Sequence, residues 1–513
     1  MAAAPQSLKR HSADAPLVLG GYAALAESAW MGAPQASEVL EPLRLPRERA
    51  TPPRGRGFGV ARLFTREFSI AEAAIILMAS FFFSALLGAV RQVLFNALFG
   101  VGIEANAYYA AFRLPDTLFS LVAGGALSSA MIPVLLGTAR AKGEAAGLRL
   151  VNLVLTTLVA VFALITLVGE IATPAFVTHI LAPGFDGETS RLTVNLTRVM
   201  LVQPVILAVG AAATALLNSR SQFLLTALSV VSHNLALIAG IAATHAHPAL
   251  GIYGPTLGVV GGALLQVLIL LPGLLGRQFR YRPAWDFADP YLREVIRLLI
   301  PNGLAVAVGS AGFILDTAFA SKAPETAGLP ALQNAWLLVG LPIALFGQAV
   351  GQSAFPRLAA DAAAGEWARM KRTLLRTVGV VIALALPAML GIFWLGRLTI
   401  RIIFEQGKFD AAAGSLTYSV LIAYAIGLPA YVATEVIIRG LIALRDTRTP
   451  LLTNSAQLAG RALLIALLLD TMGMIAIPTA FAIMAALETG VLALVLRHTM
   501  RRRMSPAATT AFA

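Results

Sequence analysis

From residue 70 almost to its end, the chain alternates long apolar runs with short polar breaks. Twelve runs can be marked, at about 72–99, 107–138, 150–170, 192–217, 223–244, 253–275, 291–319, 331–356, 374–395, 415–438, 450–469 and 474–496. A helix needs roughly 20 mostly apolar residues to cross a bilayer, and these runs are near or above that length. The pattern predicts an all-α polytopic membrane protein of about twelve transmembrane helices.

The pattern also repeats. Gly124 and Pro133 in the second run correspond to Gly347 and Pro356 in the eighth, and Phe185-Asp186 before the fourth to Phe409-Asp410 before the tenth. Leu217 with Leu224-Leu225 corresponds to Leu444 with Leu451-Leu452. The offset spans six runs, an even number, so both halves cross the membrane in the same sense. Parallel repeats of this kind place a substrate cavity between the halves. We therefore expect two six-helix lobes, residues 70–285 and 286–499, around a central cavity, with tails at 1–69 and 500–513.

Against this background two arginines stand out. Arg91 lies inside the first run and Arg113 inside the second, on either side of the short loop VGIEA at 101–105. A guanidinium at bilayer depth costs at least ~2.5 kcal/mol, so it normally faces a bundle interior or a wet cavity. Helices joined by so short a loop are antiparallel neighbours, and both arginines fall within a few turns of it. They can face one space, and a cationic space implies an anionic cargo. The competing expectation is that each snorkels to the headgroups.

Composition agrees with the pattern. The chain is 58% hydrophobic and 13% charged, where soluble domains run near 25% charged, and its mean hydropathy is +0.78. It has no cysteine, which excludes disulfides, iron–sulfur clusters and thiol catalysis. The net charge of +13 suggests nucleic acid until the charges are placed. With the N-terminus in the cytoplasm, the inside loops hold Arg140, Lys142, Arg149, Arg220, Arg277, Arg280, Arg282, Arg293, Arg297, Arg357, Arg369, Lys371, Arg372, Arg376, Arg439, Arg445 and Arg448, and the C-terminus adds Arg497 and Arg501–Arg503. The outside loops hold only Lys322, Arg397, Arg401 and Lys408, with Arg191 near a helix start. Both termini inside satisfies the positive-inside rule, and anionic headgroups account for the basic charge without nucleic acid. Residues 1–69 carry basic and proline-rich stretches without an apolar stripe, as a disordered cytoplasmic tail does. The run 15–32 loosely resembles a signal peptide but is broken by Glu27; a start codon placed too far upstream also explains the tail.

Other polar residues offer less. Glu435 and Arg439 are spaced to pair along one helix face, as a structural bridge or a gate. Arg445, Asp446 and Arg448 read as helix-capping residues of an inside hinge. His245 and His247 lack a third ligand, so no metal is expected. Gly88, Gly100, Gly124, Gly125, Gly347 and Gly351 allow close helix approach. Pro115 and Pro342 are placed to bend helices, and Pro133 and Pro356 to end them. No hydrolase triad, phosphate loop or carboxylate pair is present at usable spacing, so we expect no enzyme and no cofactor.

Several stretches together are specific: LLGAVRQVLFNALFG (86–100), AFRLPD (111–116), LAPGFDGET (181–189), ALLNSRSQF (215–223), LPIALFGQAVGQSAFPRLA (341–359), IIFEQGKFDAAA (402–413) and RGLIALRDTRTP (439–450). From about 70 to 497 the chain resembles the MurJ/MviN lipid II flippases of the multidrug/oligosaccharidyl-lipid/polysaccharide exporter superfamily. The resemblance implies a V-shaped pair of six-helix lobes around a cationic cavity. It also implies carriage of an undecaprenyl-diphosphate-linked muropeptide from the inner to the outer leaflet of the bacterial cytoplasmic membrane. Implied partners are this lipid-linked anionic precursor, membrane lipids and cell-wall synthesis enzymes, and the implied state is a monomer.

Arg91 matches the family's cavity arginine, and Arg113 a position that is commonly Lys or Arg. Ser84, Gln92 and Asn106 complete the expected cargo-binding set. The departures are Gln92 in place of an aspartate, Ala85 near a missing arginine, and Asn106 for an acidic residue. Phe119-Ser120 stands for an arginine pair, Ala123-Gly124-Gly125 for Ala-Glu-Gly, and Trp336-Leu337 for Asp-Arg. Many relatives also carry two further helices that form a groove for the polyprenyl tail. Some bind sodium between helices seven and eleven, where this chain has Asp316 and Arg461; Arg461 is expected to replace the ion as a tethered cation beside Asp316. The negative-inside membrane potential, worth ~2.3 kcal/mol per charge per 100 mV, favours outward movement of an anion. Alternatives are a flippase for another lipid-linked glycan, a drug or cation antiporter, which would need acidic cavity residues, and a non-transporting scaffold, which the lost charges favour.

Overall fold

A computed structural model of the chain describes residues 68, 70–123, 126–275, 279–325 and 328–504. The predicted N-terminal tail, apart from Phe68, lies outside the described residues, as do Gly124, Gly125 and positions 505–513. Among the described residues the chain forms sixteen α-helices. The first eight are α1 (Ile70–Phe99), α2 (Ile103–Ala123), α3 (Ala126–Lys142), α4 (Glu144–Phe176), α5 (Gly187–Met200), α6 (Gln203–Ser219), α7 (Phe223–Ala246) and α8 (Tyr253–Leu275). The second eight are α9 (Pro290–Ala320), α10 (Gly328–Pro342), α11 (Val350–Ala363), α12 (Trp367–Ile403), α13 (Ala411–Ile426), α14 (Leu428–Ala443), α15 (Arg448–Met472) and α16 (Ala476–Met504).

Eight helices or continuous helical runs are long and apolar enough to cross a membrane, and nine if the α13–α14 pair, bent by 45°, counts as one span. The last of the eight, Arg448–Met504, contains both α15 and α16. Large apolar side chains point outward, among them Phe82 at 67% exposed and Trp394 at 79%. A surface of that kind belongs in lipid.

The two sets of eight repeat one plan. The pairs α1–α7, α2–α5, α3–α4, α3–α6, α4–α6, α6–α8 and α7–α8 recur as α9–α15, α10–α13, α11–α12, α11–α14, α12–α14, α14–α16 and α15–α16. Local details recur too. Asp186 caps α5 by accepting from the Thr189 N–H at 2.8 Å, and Asp410 caps α13 by accepting from the Ala413 N–H at 2.8 Å. The Thr189 hydroxyl and N–H hold the Asp186 carboxyl below the usual carboxylate range. Helices α6 and α14 end in the same left-handed turn. Ser221 (φ 58°) and Arg445 (φ 62°) are the positive-φ non-glycine residues of the described chain. The N–H groups that follow, of Gln222 and Asp446, return to the carbonyls of Leu217 and Leu441.

Three details differ from expectation. Pro133 and Pro356 lie inside α3 and α11 rather than ending them. A helix in this setting tolerates one missing backbone donor because neighbouring groups re-satisfy the freed carbonyl. Pro342 is followed by a π-helical stretch, Ile343–Ala349, that joins α10 to α11. Helix α16 runs on to Met504, past the expected boundary at residue 499.

The ends of the molecule are chemically distinct. At one, Arg220 bridges to Glu144 at 2.8 Å, Arg149 to Asp286 at 3.1 Å, and Arg503 stacks on Trp367 at 5.0 Å; we call this the basic end. At the opposite end the lobes meet in two related clasps. The Lys408 N–H donates to the Ala97 carbonyl at 2.9 Å, and the Gly184 N–H to the Ser321 hydroxyl at 3.0 Å. Lys408 lies 224 residues beyond Gly184, and Ser321 lies 224 beyond Ala97, so the repeat has copied the contact. Both loops come so close that a side chain is barred. A Cβ on Gly184 would strike the Ser321 carbonyl, and one on Gly407 (φ 59°) the Ala97 carbonyl.

Candidate functional site

Arg91 and Arg113 line one cavity. It measures about 110 Å³ and is bordered by Gln92, Phe95, Tyr108, Tyr109, Phe112, Asp116, Ile241 and Gln333. The Arg91 guanidinium turns inward from α1 and donates to Asn234 Oδ1 on α7 at 3.3 Å. Asn234 is itself fixed by α1, donating to the Ser84 hydroxyl at 3.0 Å and the Ser84 carbonyl at 3.1 Å. Arg113, on α2, reaches across to the second lobe. Its Nε donates to Thr317 on α9 at 3.2 Å and its Nη2 to Gln333 on α10 at 3.3 Å, and the guanidinium lies 5.4 Å from the Phe313 ring centroid.

The other three expected residues are placed less directly. Ser84 stands behind Asn234 and orients it, away from the cavity lining. Gln92 borders the cavity, but its amide is spent between lobes: it donates to Tyr109 at 2.5 Å and to Asn334 of α10 at 2.8 Å. Asn96 joins the same network at 3.0 Å from Asn334. Asn106 is outside the cavity lining. Its side chain accepts from the Leu329 N–H at 3.1 Å, capping the first turn of α10 from the other lobe. A neutral amide there serves two backbone groups, since its Nδ2 also donates to the Gly102 carbonyl at 2.9 Å.

Sequence reasoning missed Asp116, Asn234, Thr317 and Gln333. Asp116 is three residues beyond Arg113 on one helix face, borders the cavity, and lies within electrostatic reach of both arginines. It was legible only as part of RLPD. Asn234 was the better signal, a polar side chain in the middle of an apolar run.

A second, larger chamber of about 300 Å³ lies within the second lobe, bordered by Asp316, Arg461, Glu435, Glu488, Trp336 and Tyr431. Asp316 of α9 and Arg461 of α15 form an ion pair, with the residues 7% and 5% exposed. The Arg461 guanidinium also lies 4.6 Å from the Phe481 ring centroid. Arg439 pairs with Glu435 along α14 at 2.7 Å. Trp336 packs edge-on against Phe313, Tyr424 and Phe481, an aromatic cluster at the position where the resemblance has an Asp-Arg pair. Among the described residues no group of three or more His, Cys, Asp or Glu could hold a metal ion.

Two pseudo-symmetric helical lobes, apolar outer surfaces and an arginine-lined cavity at the lobe junction define the class: a multi-pass membrane protein with the fold of the multidrug/oligosaccharidyl-lipid/polysaccharide transporters. The structure matches a solved lipid II flippase MurJ in an inward-closed conformation, with a TM-score of 0.70 and 23% identity over 82% of this chain and 87% of that one. It also matches an inward-facing multidrug resistance MATE family transporter, with a TM-score of 0.70 and 13% identity over 82% and 95%. The family model "Lipid II flippase MurJ" covers residues 95–512. The lipid II flippase MurJ of Burkholderia cenocepacia is 30% identical over 71% of each chain. The probable one of Rhizobium tropici is 29% identical over 72% of this chain and 70% of its own. The chain belongs to the MurJ family.

Proposed function

We propose that this protein flips lipid II, the undecaprenyl-diphosphate-linked peptidoglycan precursor, from the inner to the outer leaflet of the bacterial cytoplasmic membrane. One observation carries the reading: Arg91 and Arg113 share a cavity at the junction of two lobes. Guanidinium groups pair with phosphate oxygens through parallel, charge-assisted hydrogen bonds, and the apolar wall of Phe95, Tyr108 and Phe112 leaves such an anion few competing partners. Family membership supports the cargo class. The basic end is assigned to the cytoplasm by the positive-inside rule; both termini then lie inside, which requires an even number of spans, as the expected twelve is. On this orientation the clasps seal the outer side.

At about 110 Å³ the cavity is below the 300–1,000 Å³ usual for a drug-sized ligand. It has room for a compact anionic group but not for a disaccharide peptide. The structure is thus read as a state closed around the arginines. Rocking of the lobes opens the cavity first to one side and then to the other, and the membrane potential assists outward passage of the anion.

The test is rescue of bacterial cells depleted of their own flippase. The expected outcome is growth with the parent chain and its loss with Arg91→Ala at equal protein level. Rescue that survives Arg91→Ala would remove the diphosphate role. Failure of the well-expressed parent chain to rescue would favour another lipid-linked glycan or a scaffold.

A further inference from the structure

Arg113 does two things at once. It borders the cavity, and it fastens the lobes through Thr317 and Gln333. The other cross-lobe contacts described above use neutral groups: the Gln92–Asn96–Asn334 amides, the Asn106 cap, and the two clasps. Arg113 is the one charged group among them. Its partners across the junction are a neutral hydroxyl and a neutral amide at 3.2 and 3.3 Å, long bonds in which only the donor is charged. A phosphate oxygen, itself charged, makes a shorter and stronger bond to guanidinium and can make it bidentate. An anion in the cavity and the second lobe therefore compete for the same donors, and the anion wins.

We propose that Arg113 is the latch that couples cargo to the gate: a diphosphate entering the cavity draws the Arg113 guanidinium away from Thr317 and Gln333 and so loosens the clasped end of the molecule. Asp116 sets the threshold. Its carboxyl borders the same cavity as Arg113 and Arg91, one helical turn from Arg113, so an entering anion must compete with one carboxyl group. A lipid diphosphate carries the extra charge to do this, and a lipid monophosphate does so far less well. When cargo leaves, Asp116 keeps the guanidinium in the cavity, where it can return to Thr317 and Gln333. This rests on the cavity being a diphosphate site.

The chain has no cysteine, so spin labels attach only where cysteines are introduced. Glu188→Cys and Gln406→Cys place one label on each lobe, at exposed positions beside the clasps. Distances between them would be read by pulsed electron resonance in nanodiscs, with retention of radiolabelled undecaprenyl diphosphate measured on the same samples. Added undecaprenyl diphosphate is expected to create a longer-distance population in the parent. Undecaprenyl monophosphate is expected to do so only with Asp116→Asn. Thr317→Val with Gln333→Leu is expected to raise the longer-distance population roughly tenfold or more without lipid, since two hydrogen bonds from the guanidinium to neutral acceptors are lost. Arg113→Gln is expected to abolish the response to lipid; each single variant, Thr317→Val and Gln333→Leu, controls for misfolding. Normal lipid retention with unchanged distances, or a double variant indistinguishable from the parent without lipid, overturns the latch. Absence of lipid retention in the parent overturns the diphosphate reading itself, while the lipid-free double variant still decides whether Thr317 and Gln333 hold the lobes.

Discussion

Asp316 illustrates how a charge deep in an apolar run has to be read together with its partner. Alone it would be expensive in the membrane; paired with Arg461 it becomes part of the second lobe's interior. Removing either member leaves the other buried and uncompensated. Asp316→Ala or Arg461→Ala alone is therefore expected to destabilise the protein by about 3–5 kcal/mol, and the double variant to recover most of that loss. Thermal unfolding of the purified variants reads this directly, and additive losses would show that the two act independently. Arg91 and Arg113 were visible in the sequence for a related reason: a guanidinium in hydrocarbon demands a polar setting. Asp116 was not, because one helical turn from Arg113 it reads equally well as that arginine's internal ion-pair partner. Thr317 was silent because its own helix satisfies the hydroxyl, at the Phe313 carbonyl 2.8 Å away, and Gln333-Asn334 because a polar pair at the start of an apolar run reads as a helix end.

At the level of elements, the apolar runs located the helical regions and the breaks between runs, but not the breaks within the runs 192–217 and 415–438, where one helix ends at Met200 and another at Ile426 among apolar residues. The α1–α2 turn, the Asp186 and Asp410 caps and the left-handed turns at Ser221 and Arg445 all coincide with polar or glycine punctuation. The π-helical stretch after Pro342 could not be read, because its residues are as apolar as the helices it joins. Packing between elements matters for the site through α7, which carries Asn234. Helix α8 reaches α7 through Gly262, where an added Cβ would lie 2.7 Å from His233 Nδ1, the residue before Asn234. A Cβ on the adjacent Gly261 meets nothing within 4 Å. Gly262→Val is expected to cost about 1–3 kcal/mol by overpacking and to lower transport by shifting the Arg91 partner. Gly261→Val is expected to leave both near the parent. Unfolding temperature and transport rate of the two variants separate the cases; equal behaviour would place the α7–α8 contact outside the site's support.

In the whole molecule, the repeat was legible because its caps and turns use side chains with strong preferences. The clasps were not, because three of their four groups are backbone atoms or glycine. They close one end of the molecule, and the cavity arginines lie at the lobe junction. The central claim is that these arginines hold the diphosphate of a lipid cargo during its passage. Translocation of a fluorescent lipid II analogue in proteoliposomes tests it most directly, comparing parent, Arg91→Lys and Arg91→Ala at matched reconstitution. Loss of charge-assisted hydrogen bonds is expected to slow Arg91→Ala about tenfold or more, with Arg91→Lys intermediate because lysine keeps the charge but not the planar fork. Arg91→Ala translocating at the parent rate would contradict the claim.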